Sequence, residues 1–185
     1  MAHRVCPWWL GYFLATPLRR LWQDPRTILG PYVREGMTVL EPGPGMGFFT
    51  LELARRVGPT GRVVAVDIQP KMLSALRRRA TRAGLDGRIE TRLASDSDLA
   101  VSDLGGKVGF VLAFALVHEV PDADAFFAQV ASVLDADGRV LVAEPRGHVS
   151  EAEFKRTSDV AKARGLEVVG SPAIRGSRTA LLGKR

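Results

Sequence analysis

From residue 38 onward short apolar runs alternate with longer stretches of helical period, and this alternation constrains the fold more than any other feature of the chain. Strand candidates fall at 38–41, 62–66, 88–93, 108–114 and 138–143. Most are apolar almost throughout, as a strand covered on both faces must be in a parallel sheet. The exception is 88–93, where Ile89, Thr91 and Leu93 alternate with Arg88, Glu90 and Arg92, which suits a strand nearer an edge. Between the runs, Met72, Leu73, Leu76, Ala80 and Ala83 line one face of a helix over 70–83, with Pro70 at its entry and Gly84 at its stop. Phe126, Phe127, Val130 and Leu134 do the same over 122–134, and Asp137-Gly138 reads as the turn into the next strand. Ser150-Glu151-Ala152-Glu153 is a capping-box signature opening a helix to about Arg164. Such a ladder predicts an α/β fold with an open, doubly wound, mostly parallel sheet and right-handed crossovers.

The tail departs from the ladder. Residues 166–169 and 179–182 are strand-like runs joined by a loop rich in glycine, serine and proline, with no room for a helix. A parallel crossover needs a dozen or more residues, so the two are antiparallel and end the sheet in a hairpin, for seven strands in all.

A chain of 185 residues is one domain by length, and 46% hydrophobic residues suffice for a substantial core. Cys6 is the single cysteine, which rules out an internal disulfide and a cysteine-cluster metal site. It fits a reducing, cytoplasmic setting. The net charge of +6 comes mostly from arginine, densest at Arg77, Arg78, Arg79 and Arg82. Such a balance suits either a solvated helix face or attraction to nucleic acid or an acidic membrane surface. Residues 5–18, VCPWWLGYFLATPL, are apolar and aromatic but interrupted by Pro7 and Pro17 and too short to span a bilayer. They read as an amphipathic segment packed on the domain, so residues 1–35 are expected to form an aromatic helical cap on a domain over 36–185. Trp8, Trp9, Tyr12 and Phe13 are its apolar surface, as a lid or a fixed packing helix.

EPGPGMGFFT, residues 41 to 50, places Gly43, Gly45 and Gly47 between the first strand and the helix expected from about Met46. Glycines there permit positive φ and close backbone approach, and a helix start directs free N–H groups at the bend. The dinucleotide fingerprint needs G-x-G-x-x-G, whereas the spacing here is G-x-G-x-G. Glu41 would repel a phosphate and suit an ammonium group. Asp67 ends the second strand, where an acidic side chain accepts hydrogen bonds from vicinal ribose hydroxyls, and Ile68 follows to lie against an adenine face. An adenine nucleoside with a cationic, amino-acid-like arm meets these requirements, and S-adenosylmethionine is such a molecule.

VLEPGPGMG resembles the first motif of class I S-adenosylmethionine-dependent methyltransferases, and VVAVDIQPKML resembles their acidic second-strand motif. VGFVLAFALVHEVPD, 108–122, is similar to the fourth-strand region of the small-molecule branch called type 11. The resemblance covers about 36–185 and implies a Rossmann-like sheet. It further implies that Glu41 acts near the methionine amino group, that backbone at Gly43 and Gly45 faces the methionine arm, and that Asp67 holds the ribose. Ser95 and Asp96 resemble the motif whose acidic residue takes the adenine amino group, and backbone near Ala113 and Phe114 would close the pocket. Pro42 and Pro44 depart from the commoner small residues and remove two backbone donors.

Transfer from a sulfonium is an in-line displacement, and a general base is needed only when the acceptor must lose a proton. His118, past the fourth strand, and His148, past the fifth, both fall on the ligand side as candidate bases. Glu144 and Arg146 flank the same rim, and Glu119 is a candidate structural partner. No Asn/Asp-Pro-Pro-aromatic tetrapeptide follows the fourth strand, which disfavours an exocyclic base amine. One cysteine leaves out thiol-based arsenic chemistry, and no carboxylate set suggests a magnesium site. A small molecule is therefore the expected acceptor, with RNA or protein methylation and non-catalytic adenosylmethionine binding as alternatives. A nicotinamide-dependent dehydrogenase is disfavoured by Glu41 and the glycine spacing.

Overall fold

Each central strand buries both faces, which is why its sequence is apolar throughout. The computed structural model describes residues 22–185. In them β1 (Thr38–Pro42), β2 (Arg62–Asp67), β3 (Ile89–Leu93), β4 (Val108–Phe114), β5 (Leu134–Pro145), β6 (Leu166–Gly170) and β7 (Ser177–Lys184) form one sheet. The order is β3-β2-β1-β4-β5-β7-β6, with the first five strands parallel and β7 antiparallel to both its neighbours. The alternating strand β3 lies at one edge, as its sequence requires.

The helices are α1 (Pro25–Leu29), α2 (Thr50–Arg56), α3 (Pro70–Arg82), α4 (Ala123–Val133) and α5 (Glu151–Ala163). Val39, Val63, Phe110, Leu112 and Leu141 pack on one face of the sheet with Leu29 of α1 and Leu53 of α2. Their strand neighbours Leu40, Val64, Val111 and Val140 pack on the other with Phe127 and Val130 of α4 and Ala161 of α5. Helix α3 packs against β2 and β3. The capping box at Ser150 forms in full: its side chain accepts from the Glu153 N–H, and the Glu153 carboxylate accepts from the Ser150 N–H at 2.8 Å. Among the described residues no helix is long and apolar enough to cross a membrane. Trp8, Trp9, Tyr12 and Phe13, and with them most of the expected cap, lie outside the described residues.

Three local expectations are corrected. The helix expected from Met46 begins at Thr50, because Gly47 has φ +86° and a turn closed from the Gly47 N–H to the Pro44 carbonyl (2.9 Å) precedes it. Asp137-Gly138 does not start β5; it lies in a bulge within a strand that has already begun. Leu134, the cap of α4, is extended and pairs with Val108 before the ladder resumes at Phe110 and Arg139. A Cβ at Gly138 would lie 2.7 Å from Leu134 Cδ1, so the bulge folds back where only glycine fits. Ala83 is exposed, and Ala75 takes its place on the buried face of α3.

Candidate active site

In a parallel sheet all strands end on the same side, so the residues that follow them converge. Here they enclose a cavity of about 470 Å³. Glu41, Gly43, Gly45, Asp67, Ile68, Ser95, Asp96, Phe114, His118 and His148 all line it. Gly47 and Ala113 do not. A Cβ at Gly47 would meet Leu76 Cδ1 at 2.5 Å, so this glycine admits α3 rather than a ligand. Ala113 is fully buried, facing the α4 side of the sheet, and the next residues in line, Phe114 and Ala115, form the wall. Gly45 has φ +54° and open space where a Cβ would be, so its backbone stands bare at the cavity.

Two buried acids give the cavity its electrostatic character. Glu41 is 3% exposed and, among the described residues, its Oε2 has no hydrogen-bond partner. Burial pushes its carboxyl up to about 8; nearby Thr50 lowers the value and the Asp67 charge raises it, yet Thr50 Oγ1 also completes no hydrogen bond. Asp67 is pushed up to about 6, again chiefly by burial, against hydrogen bonds from backbone N–H groups including that of Gln69 at 2.9 Å. Among the described residues neither acid meets a positive charge that would hold it ionised, and Asp67 has only backbone N–H groups to oppose its burial. A ligand bringing an ammonium to Glu41 and hydroxyls to Asp67 supplies that charge and further donors. Ser95 and Asp96 sit in an exposed turn in which Ser95 Oγ accepts from the Asp98 N–H (3.1 Å). Asp96 is thus left facing the cavity without a capping role.

The other half of the cavity lies beyond β4, β5 and β7. Ala115 has φ +53°, a conformation disfavoured for a residue with a Cβ, and its N–H donates to the Ala143 carbonyl at 2.7 Å. The chain then turns through Val117–Glu119, a single 3₁₀ turn that brings His118 over β5. There the buried Glu144 carboxylate accepts from the Val117 N–H (2.7 Å) and lies 2.5 Å from His118 Nδ1. His118 is raised above its ordinary 6.5, first by this hydrogen bond, with burial opposing and the charges of Glu144 and Glu119 adding. The His148 ring stands 5.8 Å away at a steep angle. Glu144 thus lies beneath the wall rather than in it, and Arg146 turns away to donate to the Ser177 carbonyl (3.1 Å). Gln23, ahead of β1, donates to the Arg175 carbonyl (3.3 Å) and closes this side with Ser177. The Glu144 pairing was not readable in the sequence; an acid amid the apolar run of β5 was its one available signal.

Comparison with known proteins agrees with this geometry. Residues 33–172 match the family described as a methyltransferase domain. A ubiquinone/menaquinone biosynthesis C-methyltransferase of Idiomarina loihiensis is 35% identical over 127 residues, 69% of this chain and 49% of that protein. An arsenite methyltransferase of Halobacterium salinarum is 33% identical over 109 residues, 59% of this chain and 27% of that protein. The chain therefore spans half or less of the length of these curated relatives. Among solved structures, a SAM-dependent methyltransferase from Aquifex aeolicus superposes with a TM-score of 0.85 at 21% identity, covering 97% of this chain and 98% of that one.

Proposed function

The chain belongs to the methyltransferase-domain family, and from that premise we propose that it binds S-adenosylmethionine and methylates a small molecule. The observation that carries this reading is the Oε2 of buried Glu41, without a partner among the described residues, beside an Asp67 that burial holds above the usual carboxylate range. Glu41 would hold the ammonium of the methionine arm, the bare backbone at Gly45 would let that arm approach, and Asp67 would hold the ribose with Ile68 against the adenine. Ser95 and Asp96 extend the same side towards the adenine amino group. When bound, the cofactor supplies a methyl group on a sulfonium, transferable in line to a nucleophile.

All these cofactor residues belong to the β1–β3 half of the sheet. The acceptor is therefore assigned to the β4–β7 half, with Phe114, Pro145 and the two histidines in its wall and Phe49, from the turn after β1, against Phe114. Gln23 reaches this half from the segment before β1. The single cysteine suits a cytoplasmic setting and argues against carrying over the acceptor of the arsenite relative.

Titration calorimetry of adenosylmethionine, adenosylhomocysteine and NAD tests the reading. Selective binding of the first two is the expected result. Binding of NAD alone, or of none of the three, overturns it.

A further inference from the structure

We propose that His118 Nε2 takes a proton from the acceptor, that buried Glu144 is the residue positioning it, and that the acceptor reacts through a hydroxyl oxygen. The inference rests on the proposed function and narrows it to one base and one class of nucleophile.

The two oxygens of Glu144 have separate duties. Oε1 is committed to the Val117 N–H, which fixes the turn carrying His118, and Oε2 is committed to His118 Nδ1. A neutral imidazole facing a carboxylate through Nδ1 must place its hydrogen there, which leaves the Nε2 lone pair free. His118 lines the cavity. His148, exposed beside it, has no carboxylate partner among the described residues and so no fixed tautomer. The groups facing His118 are Glu144 from β5, Glu119 from its own turn with Oε1 3.9 Å from Nε2, and His148 from the loop after β5.

A base held this way has a use only with certain acceptors. A thioether or an unprotonated amine attacks with a lone pair it already has, whereas a hydroxyl oxygen must shed its proton before or during attack. The O–H bond breaks towards Nε2, a C–O bond forms, and the C–S electron pair stays on sulfur. One positive charge leaves the sulfonium and one appears on the imidazolium, beside the Glu144 carboxylate. Phe49 and Phe114, with ring centroids 4.5 Å apart, add apolar planes to the same cavity, which favours a phenol or a cyclic enol over a sugar hydroxyl.

The test uses the full chain with adenosylhomocysteine bound and reads His118 by nitrogen NMR across pH. The neutral ring is expected to carry hydrogen at Nδ1 and to titrate above 6.5. Glu144→Gln keeps the Val117 hydrogen bond through its amide oxygen but turns an N–H towards Nδ1, so the midpoint should fall and the neutral tautomer reverse. Turnover is then followed as adenosylhomocysteine formation from adenosylmethionine with a panel of phenols, cyclic enols and thioethers. Phenols or enols should react, with kcat rising through the His118 midpoint. Glu144→Gln should lower kcat by about 100-fold or more with little change in KM, and Glu144→Asp should recover part of the loss. A neutral ring with hydrogen on Nε2, a midpoint indifferent to Glu144→Gln, reaction with thioethers alone, or no reaction with any phenol or enol would each overturn the proposal. Failure to bind adenosylmethionine at all would sink the proposed function, and this inference with it; binding with the wrong tautomer sinks this inference alone.

Discussion

Glu41 and Asp67 stand at the carboxyl ends of adjacent strands, Asp67 two residues past Ala65, the register partner of Glu41, and the Asp67 charge adds to the burial that raises the Glu41 carboxyl. Among the described residues neither acid has a cation for company, so this part of the site carries an unmet demand for positive charge. Its titration is therefore coupled to ligand binding.

Binding of adenosylmethionine near pH 7 should release close to one proton per site. Glu41, held at about 8 without the ligand, ionises when an ammonium pairs with it. Affinity should rise with pH until the ligand's own α-amine titrates at roughly 7.7–8.0. Calorimetry in buffers of different ionisation enthalpy counts the protons, and Glu41→Gln should abolish the release and weaken binding.

The same acid makes the ligand-free protein lose stability as pH rises. A carboxyl whose folded value lies above its unfolded one leaves the native state holding more protons between the two values. The loss should begin above 4.5 and be complete past about 8. At pH 8.5 Glu41→Gln should raise the unfolding free energy by roughly 2–4 kcal/mol, with no gain at pH 4. Denaturant unfolding at the two pH values checks the sign.

Asp67→Ala should cost adenosylmethionine affinity on the order of 1.5–3 kcal/mol, or ~10–150-fold, through lost hydrogen bonds to a charged acceptor. The side chain is 9% exposed and already receives the Gln69 N–H, so the pocket is preset for it. Calorimetry on the folded variant measures the loss, and unchanged affinity would remove Asp67 from the site.

Gly45 and Gly47 should separate cleanly on substitution by alanine. At Gly47, φ of +86° and the approach of Leu76 predict a stability loss of about 2–4 kcal/mol. At Gly45 the φ of +54° carries strain but no clash, so the loss is about 1 kcal/mol. The added methyl there enters the cavity and should weaken adenosylmethionine binding by roughly tenfold or more. Thermal unfolding beside calorimetry distinguishes the two.

Much of this molecule was legible because its signals are local. Apolar runs such as Val63 to Val66 can only be strands buried on both faces, and the charged alternation of 88–93 marked an edge. The Ser150 to Glu153 box announced its helix. Glu41, Gly45 and Asp67 were readable as site residues because a parallel sheet delivers every strand end to one side. The start of α2 was misplaced because Gly47 reads the same whether it faces a ligand or a helix. The β5 bulge was missed because Asp-Gly looks alike in a turn and in a bulge.

Sequence by itself determined the alternation of elements, the edge strand, the antiparallel tail and the acids at the first two strand ends, since periodicity and chain direction decide these. Only the tertiary structure decided that β7 inserts between β5 and β6, that Leu76 rather than a ligand claims Gly47, and that Glu144 holds His118. Those relationships join residues far apart in the chain. Pairing across a sheet and partner choice in a buried site depend on which surfaces meet once the chain has closed, and no local propensity encodes that.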